Sequence, residues 1–245
     1  MTDPDLNLPS SAAEPRPRDH LMLAEHRLAF VIAVLFALAA VFFLIVMAVD
    51  QWRDAAQVID DAVRDFALSI RWRPITVVAV VLSFVGSGWV TWPLRIGVAV
   101  WLGVKRRWET FWVWVVAMAI YEPLIGLLKL AYARERPPDP LVATYTYAFP
   151  SGHATVGAAI AIGLVIVLVP AGPWRRRLEF IAAVFAFVMA FSRVYLDAHW
   201  FSDVVTGTAI GAAVMLGVAA AVHELGDRAH RRRISREMAE RQTQP

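Results

Sequence analysis

Leu28 to Val49 is a run of 22 residues without one ionisable side chain. About 20 apolar residues in helical form cross the hydrocarbon core of a bilayer, and a soluble core of this size would break such a run with charge. Further apolar runs follow. The 245-residue chain is 58% apolar and 18% charged, against about 45–50% and about 25% for soluble domains. The expected fold class is therefore all-α, a polytopic membrane protein. Disordered chains, disulfide scaffolds and short-period fibrous repeats are excluded by the apolar content, the lack of cysteine and the lack of a short repeat. Without cysteine there are also no thiolate metal sites and no cysteine nucleophile. The net charge of +3 is dispersed as small basic clusters between apolar runs, which reads as membrane topology and not as a nucleic-acid face.

Six spans are expected. The run from Leu28 is too long for a signal-peptide core and is taken as a retained first helix. From Gln51 to Ile70 the apolar residues Trp52, Ala55, Ile59, Ala62, Val63 and Phe66 recur at three- and four-residue steps opposite Asp54, Asp60, Asp61, Arg64 and Asp65, the pattern of an amphipathic helix lying in the interface. Pro74 to Val104 is too long for one crossing and too short for two, and it breaks at Gly86-Ser87-Gly88. One crossing is assigned there, at Gly86 to Val104 behind a short, partly buried helix, with a crossing at 74–94 ending on Arg95 as the alternative. The remaining spans are Glu109 to Tyr132, Gly152 to Val169, Leu178 to Leu196 and Ser202 to Val222. Residues 1–27, with Pro4, Pro9, Pro15 and Pro17, read as a mobile tail, 28–223 as the six-span domain and 224–245 as a basic tail. Lys105-Arg106-Arg107, the turn Arg175-Arg176-Arg177 and the arginines of both tails fall on one side, so both termini are expected in the cytoplasm and the loops after the third and fifth spans outside.

Ionisable residues at membrane depth are functional candidates. Lys129 and Arg136 are seven apart, about two helical turns, and would share a face if the third span continues until Pro137-Pro138 ends it. Two converging cations suit an anion, although a snorkelling lysine beside a basic loop reads the same way. Ser151, in Pro150-Ser151-Gly152-His153, caps the fourth span, and Gly152 lets an oxyanion approach the free amides; an ordinary capped helix with a stray histidine is the plainer reading. Arg193 closes the fifth span. His199 and Asp203 follow, four apart, where a carboxylate can fix an imidazole tautomer, though His-x-x-x-Asp alone is weak. All three groups fall on the expected outer face.

Together, Lys129-x6-Arg136-Pro137, Pro150-Ser151-Gly152-His153 and Ser192-Arg193-x5-His199-x3-Asp203 resemble the motifs of the type 2 phosphatidic acid phosphatase superfamily, which includes bacterial acid phosphatases and vanadium haloperoxidases. The resemblance implies that His199 attacks phosphorus, that Asp203 orients it, that His153 serves as general acid and then base, and that Lys129, Arg136, Ser151, Gly152 and Arg193 hold the phosphoryl oxygens. It implies no cofactor and no metal, and the outer loops carry no Asp, Glu and His cluster to hold two ions. Asp197 has two readings, an ion pair with Arg193 or a solvent-facing carboxylate, and the second is preferred. Glu122 is expected to bind a polar neighbour in the bundle, without a catalytic role.

The expected activity is that of a phosphatase in a bacterial inner membrane, acting on a lipid phosphate or pyrophosphate of the undecaprenyl pyrophosphate or phosphatidic acid type. The partners are that substrate and membrane lipids, with no nucleic acid. A lipid phosphotransferase using the same phosphohistidine remains open. A non-catalytic lipid-binding or transport protein leaves the two histidines and their carboxylate unexplained, and haloperoxidase chemistry belongs to soluble relatives.

Overall fold

A computed structural model describes residues 17–242. The expectation for residues 1–16 lies outside the described residues. The helices are α1 (Pro17–Ala48), α2 (Asp50–Ser69), α3 (Arg73–Val85), α4 (Gly88–Val104), α5 (Trp108–Tyr132), α6 (Gly152–Leu168), α7 (Pro173–Tyr195) and α8 (Phe201–Gln242). No strand occurs among the described residues.

The surface is inside-out relative to a soluble protein. Large apolar side chains point outward, with Leu35 and Phe42 on α1, Leu127 and Leu130 on α5, and Phe180 and Phe187 on α7 all exposed, while the buried positions are dominated by alanine. In a bilayer lipid tails solvate Leu and Phe as well as a core does, so helices associate through small residues that let backbones approach. The contact of α6 with α8 shows this. A Cβ on Gly207 would stand 2.4 Å from the Ser151 carbonyl oxygen, and one on Gly211 would stand 2.2 Å from that of Thr155. α6 itself is apolar all round, as a central helix must be. Trp114, Tyr121, Ile160 and Met215 close the core of α4, α5, α6 and α8 around it.

Among the described residues four helices are long and apolar enough to cross a bilayer, in α1 (Leu28–Ala48), α5, α7 and α8; α3 and α4, bent by 48° at their break, make a fifth as a pair. α6, with 17 residues, is about 25 Å long, short of a hydrocarbon core of about 30 Å. Six spans are reached only when α6 is counted.

The structure departs from several expectations. The break at Gly86–Gly88 stands, and in α3 Ala79 is buried and Thr76, Leu82, Ser83 and Val85 are half-buried, while Ile75, Val77, Val78, Val81 and Phe84 are exposed. The alternative crossing that ends on Arg95 fails, because Arg95 lies inside α4, 2% exposed, ion-paired with Glu122 of α5. Its guanidinium also stacks 5.0 Å from the Trp92 ring and 5.5 Å from that of Tyr121. That is how a charge is held at this depth, and it supplies the polar neighbour expected for Glu122. α7 starts at Pro173, so Arg175, Arg176 and Arg177 lie in its first turns and not in a loop. Helix also extends into both presumed tails, from Pro17 and as far as Gln242, where no proline interrupts it.

Candidate active site

The C-terminal ends of α5 and α7 and the N-terminal ends of α6 and α8 meet at one end of the bundle, with the end of α3 alongside. The basic residues Lys105–Arg107 and Arg175–Arg177 lie at the opposite ends of the same helices.

Lys129 and Arg136 arrive from different backbones. α5 does not continue to Pro137; it stops at Tyr132, where Ala133 takes a left-handed conformation with φ 42°. Arg136 reaches the site from the loop that follows. There Nε donates to Thr146 O at 2.6 Å and Nη1 to Ala198 O at 2.5 Å. Lys129 Nζ donates to the neighbouring Tyr147 O. The shared helix face is thus replaced by convergence across a loop.

Ser151 caps α6, its Oγ accepting from Ala154 N at 3.5 Å, and its own amide donates to Asp203 O at 3.0 Å. The second and third motifs are therefore joined through backbone. A Cβ on Gly152 would meet nothing within 4 Å, so open space lies beside the first residue of α6, at the end of a helix where anions bind.

His199 lies in the α7–α8 turn, 3% exposed. Its Nδ1 is 3.4 Å from Asp203 Oδ2 and its Nε2 is 3.2 Å from Arg136 Nη1. A carboxylate only accepts and a guanidinium only donates, so the partners assign the proton to Nδ1 and the lone pair to Nε2. Burial, together with the cations of Arg136, Arg193 and Lys129, pushes the His199 imidazole well below its ordinary pKa. Burial likewise lowers that of Arg136. The ring is neutral, with its free electron pair aimed among the cations.

His153 and Arg193 meet on Ser83 of α3, a residue the motif analysis did not single out. His153 Nε2 donates to Ser83 O at 3.1 Å, and Arg193 Nη1 to Ser83 Oγ at 2.6 Å. Arg193 is 2% exposed and its Nε has no hydrogen-bond partner, a buried donor suited to an anion.

Asp197 corrects the preferred reading. It is fully buried and pairs with Arg64 of α2, not with Arg193 and not with solvent, through bonds of 2.7 and 2.8 Å. Its φ of 55° sharpens the turn that carries His199. Asp60 and Arg134 join the site without any motif to mark them: Arg134 donates through Nη1 to Asp203 Oδ1 and through Nη2 to Asp60 Oδ2, each at 2.7 Å. Nothing in the sequence separates Asp60 from Asp54 and Asp61 on the same polar face. Among the described residues no group of three or more His, Asp or Glu side chains is arranged to hold a metal ion.

Known proteins resemble this chain in sequence and in fold. The model of the PAP2 superfamily matches residues 110–227. Phosphatidylglycerophosphatase B of Bacillus subtilis is 28% identical over 174 residues, covering 69% of this chain and 86% of that protein. Decaprenylphosphoryl-5-phosphoribose phosphatase of Mycobacterium tuberculosis is 32% identical over 126 residues, 45% of this chain and 59% of that one. The crystal structure of a transmembrane PAP2-type phosphatidylglycerolphosphate phosphatase from Bacillus subtilis superposes with a TM-score of 0.66 at 26% identity, over 75% of this chain and 93% of that chain. On these matches residues 110–227 are a PAP2-superfamily region and the chain is a membrane phosphatase.

Proposed function

We propose that the chain hydrolyses a lipid phosphate or pyrophosphate on the outer face of a bacterial inner membrane, through a phosphohistidine on His199 and without a metal ion. The observation that carries this reading is the neutral His199 Nε2, held among Arg136, Arg193 and Lys129. Three fixed cations neutralise the charge on the equatorial oxygens, and the Ser151 cap and the Gly152 amide complete the cradle.

Nε2 attacks phosphorus as the bond to the leaving oxygen breaks, and His153, entering the step as imidazolium, gives that oxygen its Nε2 proton and becomes neutral. His153 then takes a proton from water, whose oxygen attacks phosphorus and releases the histidine. Asp203 holds the Nδ1 proton and stabilises the charge on the ring throughout. For this, His153 must turn its Nε2 proton from Ser83 O to the substrate, a rearrangement expected on binding. Curated relatives, the phosphatidylglycerophosphatase of Bacillus subtilis among them, are named for lipid phosphates, and the apolar flank of the bundle lets a lipid tail stay in the membrane.

The test is phosphate release by purified protein from phosphatidic acid, phosphatidylglycerophosphate, undecaprenyl pyrophosphate and a prenyl-phosphoryl sugar phosphate, with and without EDTA. Release from at least one lipid, unchanged by EDTA and inhibited by vanadate, is expected. Loss with EDTA and recovery with magnesium refutes the metal-free reaction.

A further inference from the structure

We propose that Arg134, in the α5–α6 loop, and Asp60, on the amphipathic helix α2, are positioning residues that hold the Asp203 carboxylate against His199. The inference rests on the nucleophilic role proposed for His199.

The reason lies in how Asp203 is held. It sits in the first turn of α8, and its Oδ2 accepts from the Trp200 amide at 2.9 Å, the backward half of a capping box. Its Oδ1 accepts from Arg134 Nη1 at 2.7 Å, whereas the contact with His199 Nδ1 is 3.4 Å. The carboxylate is therefore oriented by Trp200 and Arg134, and the histidine receives the orientation they set.

Both terminal nitrogens of Arg134 are in turn engaged twice. Nη1 also donates to Ser202 Oγ at 2.7 Å, and Nη2 to Gln57 Oε1 at 2.6 Å and Asp60 Oδ2 at 2.7 Å. Its guanidinium lies 5.5 Å from the Trp200 ring. Asp60 then reaches α8 independently, accepting from Ser202 N at 2.7 Å and from Ser202 Oγ at 2.6 Å. A side chain of α2 thus serves an amide in the first turn of α8, a task that usually falls to the residue preceding the helix. The side chains of Arg134, Asp60 and Asp203 are 9%, 1% and 0% exposed.

A solvated acidic face would not bury Asp60, and a scaffold bond would not need to end on the carboxylate of the nucleophile. The same helix exposes Trp52, Val58, Ile59 and Phe66 away from Asp60, an apolar face of the kind that lies on a membrane surface.

Quenched single-turnover phosphorylation with a radiolabelled lipid phosphate separates a positioning role from a folding role. The amplitude counts folded sites, and the rate constant reports their geometry. Arg134→Gln and Asp60→Asn are each expected to lower the rate constant and kcat by about tenfold or more, the scale of small misplacements at a reacting centre, with KM and inhibition by inorganic phosphate little changed. Arg134→Lys should recover part of the rate. The Asp60→Asn/Arg134→Gln double variant should be no slower than Arg134→Gln alone, because the second change removes the carboxylate left unpaired by the first. If Arg134→Gln does not fold, the near-isosteric Asp60→Asn decides.

Reduced amplitude with a wild-type rate constant and kcat would leave the pair a purely structural role and overturn the proposal. A wild-type enzyme that turns over without any phosphoenzyme would refute the His199 intermediate instead. The positioning proposal would then stand or fall on kcat against KM in the same variants.

Discussion

At the scale of single residues, the chemistry depends on one imidazole whose two nitrogens see opposite partners. Asp203 draws the proton to Nδ1 and Arg136 faces the lone pair on Nε2. The folded-state pKa is depressed, so the ring remains unprotonated as pH falls through 6.5, its ordinary value. The acid limb of kcat/KM, corrected for substrate ionisation measured by phosphorus NMR, should therefore lie below pH 6.5, and Arg136→Gln should move it upward. The sign for folding follows from the same shift. The unfolded chain takes up a proton that the native site refuses, so this stabilisation is present above pH 6.5 and is lost as pH falls toward the depressed value. The two histidines should also separate in their variants. His199→Ala should give no phosphoenzyme. His153→Ala, lacking general acid catalysis worth about 10²–10⁴-fold, should still trap phosphate on the protein from a substrate with a good leaving group. Equal labelling of the two variants would reverse or cancel their assignments.

At the scale of elements, the site is made by helix ends, and its precision depends on how closely those helices approach. α8 lies against the start of α6 because Gly207 has no side chain where the Ser151 carbonyl stands. Gly207→Ala should part the two helices and loosen the Ser151 N to Asp203 O bond. Overpacking of this kind costs about 1–3 kcal/mol, and the loss should be visible in thermal unfolding together with a lower kcat. Farther from the site, Arg95 and Glu122 tie α4 to α5. Removing one partner leaves Arg95 buried and unpaired, a cost of about 3–5 kcal/mol for such pairs, whereas replacing both with apolar residues is often neutral. Glu122→Leu should thus lower the unfolding midpoint in detergent far more than Arg95→Leu/Glu122→Leu. Equal losses would show that the pair does not act as a unit.

At the scale of the whole molecule, chain direction sorts the ends of the bundle. Every motif residue lies at one end of α5, α6, α7 and α8, and the clusters Lys105–Arg107 and Arg175–Arg177 lie at the other, with the arginine-rich extension of α8. Excess arginine and lysine mark the cytoplasmic side, so the site should face outward. The chain has no cysteine, and Tyr145 in the α5–α6 loop and Ser235 on α8 are both exposed. On intact cells, Tyr145→Cys should react with a membrane-impermeant thiol reagent and Ser235→Cys should not. The opposite pattern would put the reaction in the cytoplasm.

The membrane-embedded helical class, the break at Gly86–Gly88, most helix limits to within a few residues and the motif residues at one end of the bundle were legible in the sequence alone, whereas Ser83, Asp60 and Arg134 were not. Those features are local or periodic: apolar runs long enough to cross lipid, a cap before a helix, fixed spacings between cations and imidazoles. Tertiary structure decided what depends on pairing across the chain. Arg64 takes Asp197, 133 residues away, and Asp60 takes Ser202, 142 away. A carboxylate on an amphipathic helix looks the same in sequence whether water or a buried arginine receives it. Arg136 shows the same division. Its spacing from Lys129 was visible, but the left-handed turn at Ala133 that swings it to His199 occurs where Arg134 is drawn to Asp60 and Asp203. Burial of charge is cheap only where a partner of opposite sign is present, and for this chain that partner is supplied from distant sequence by the packing of α2 and α8.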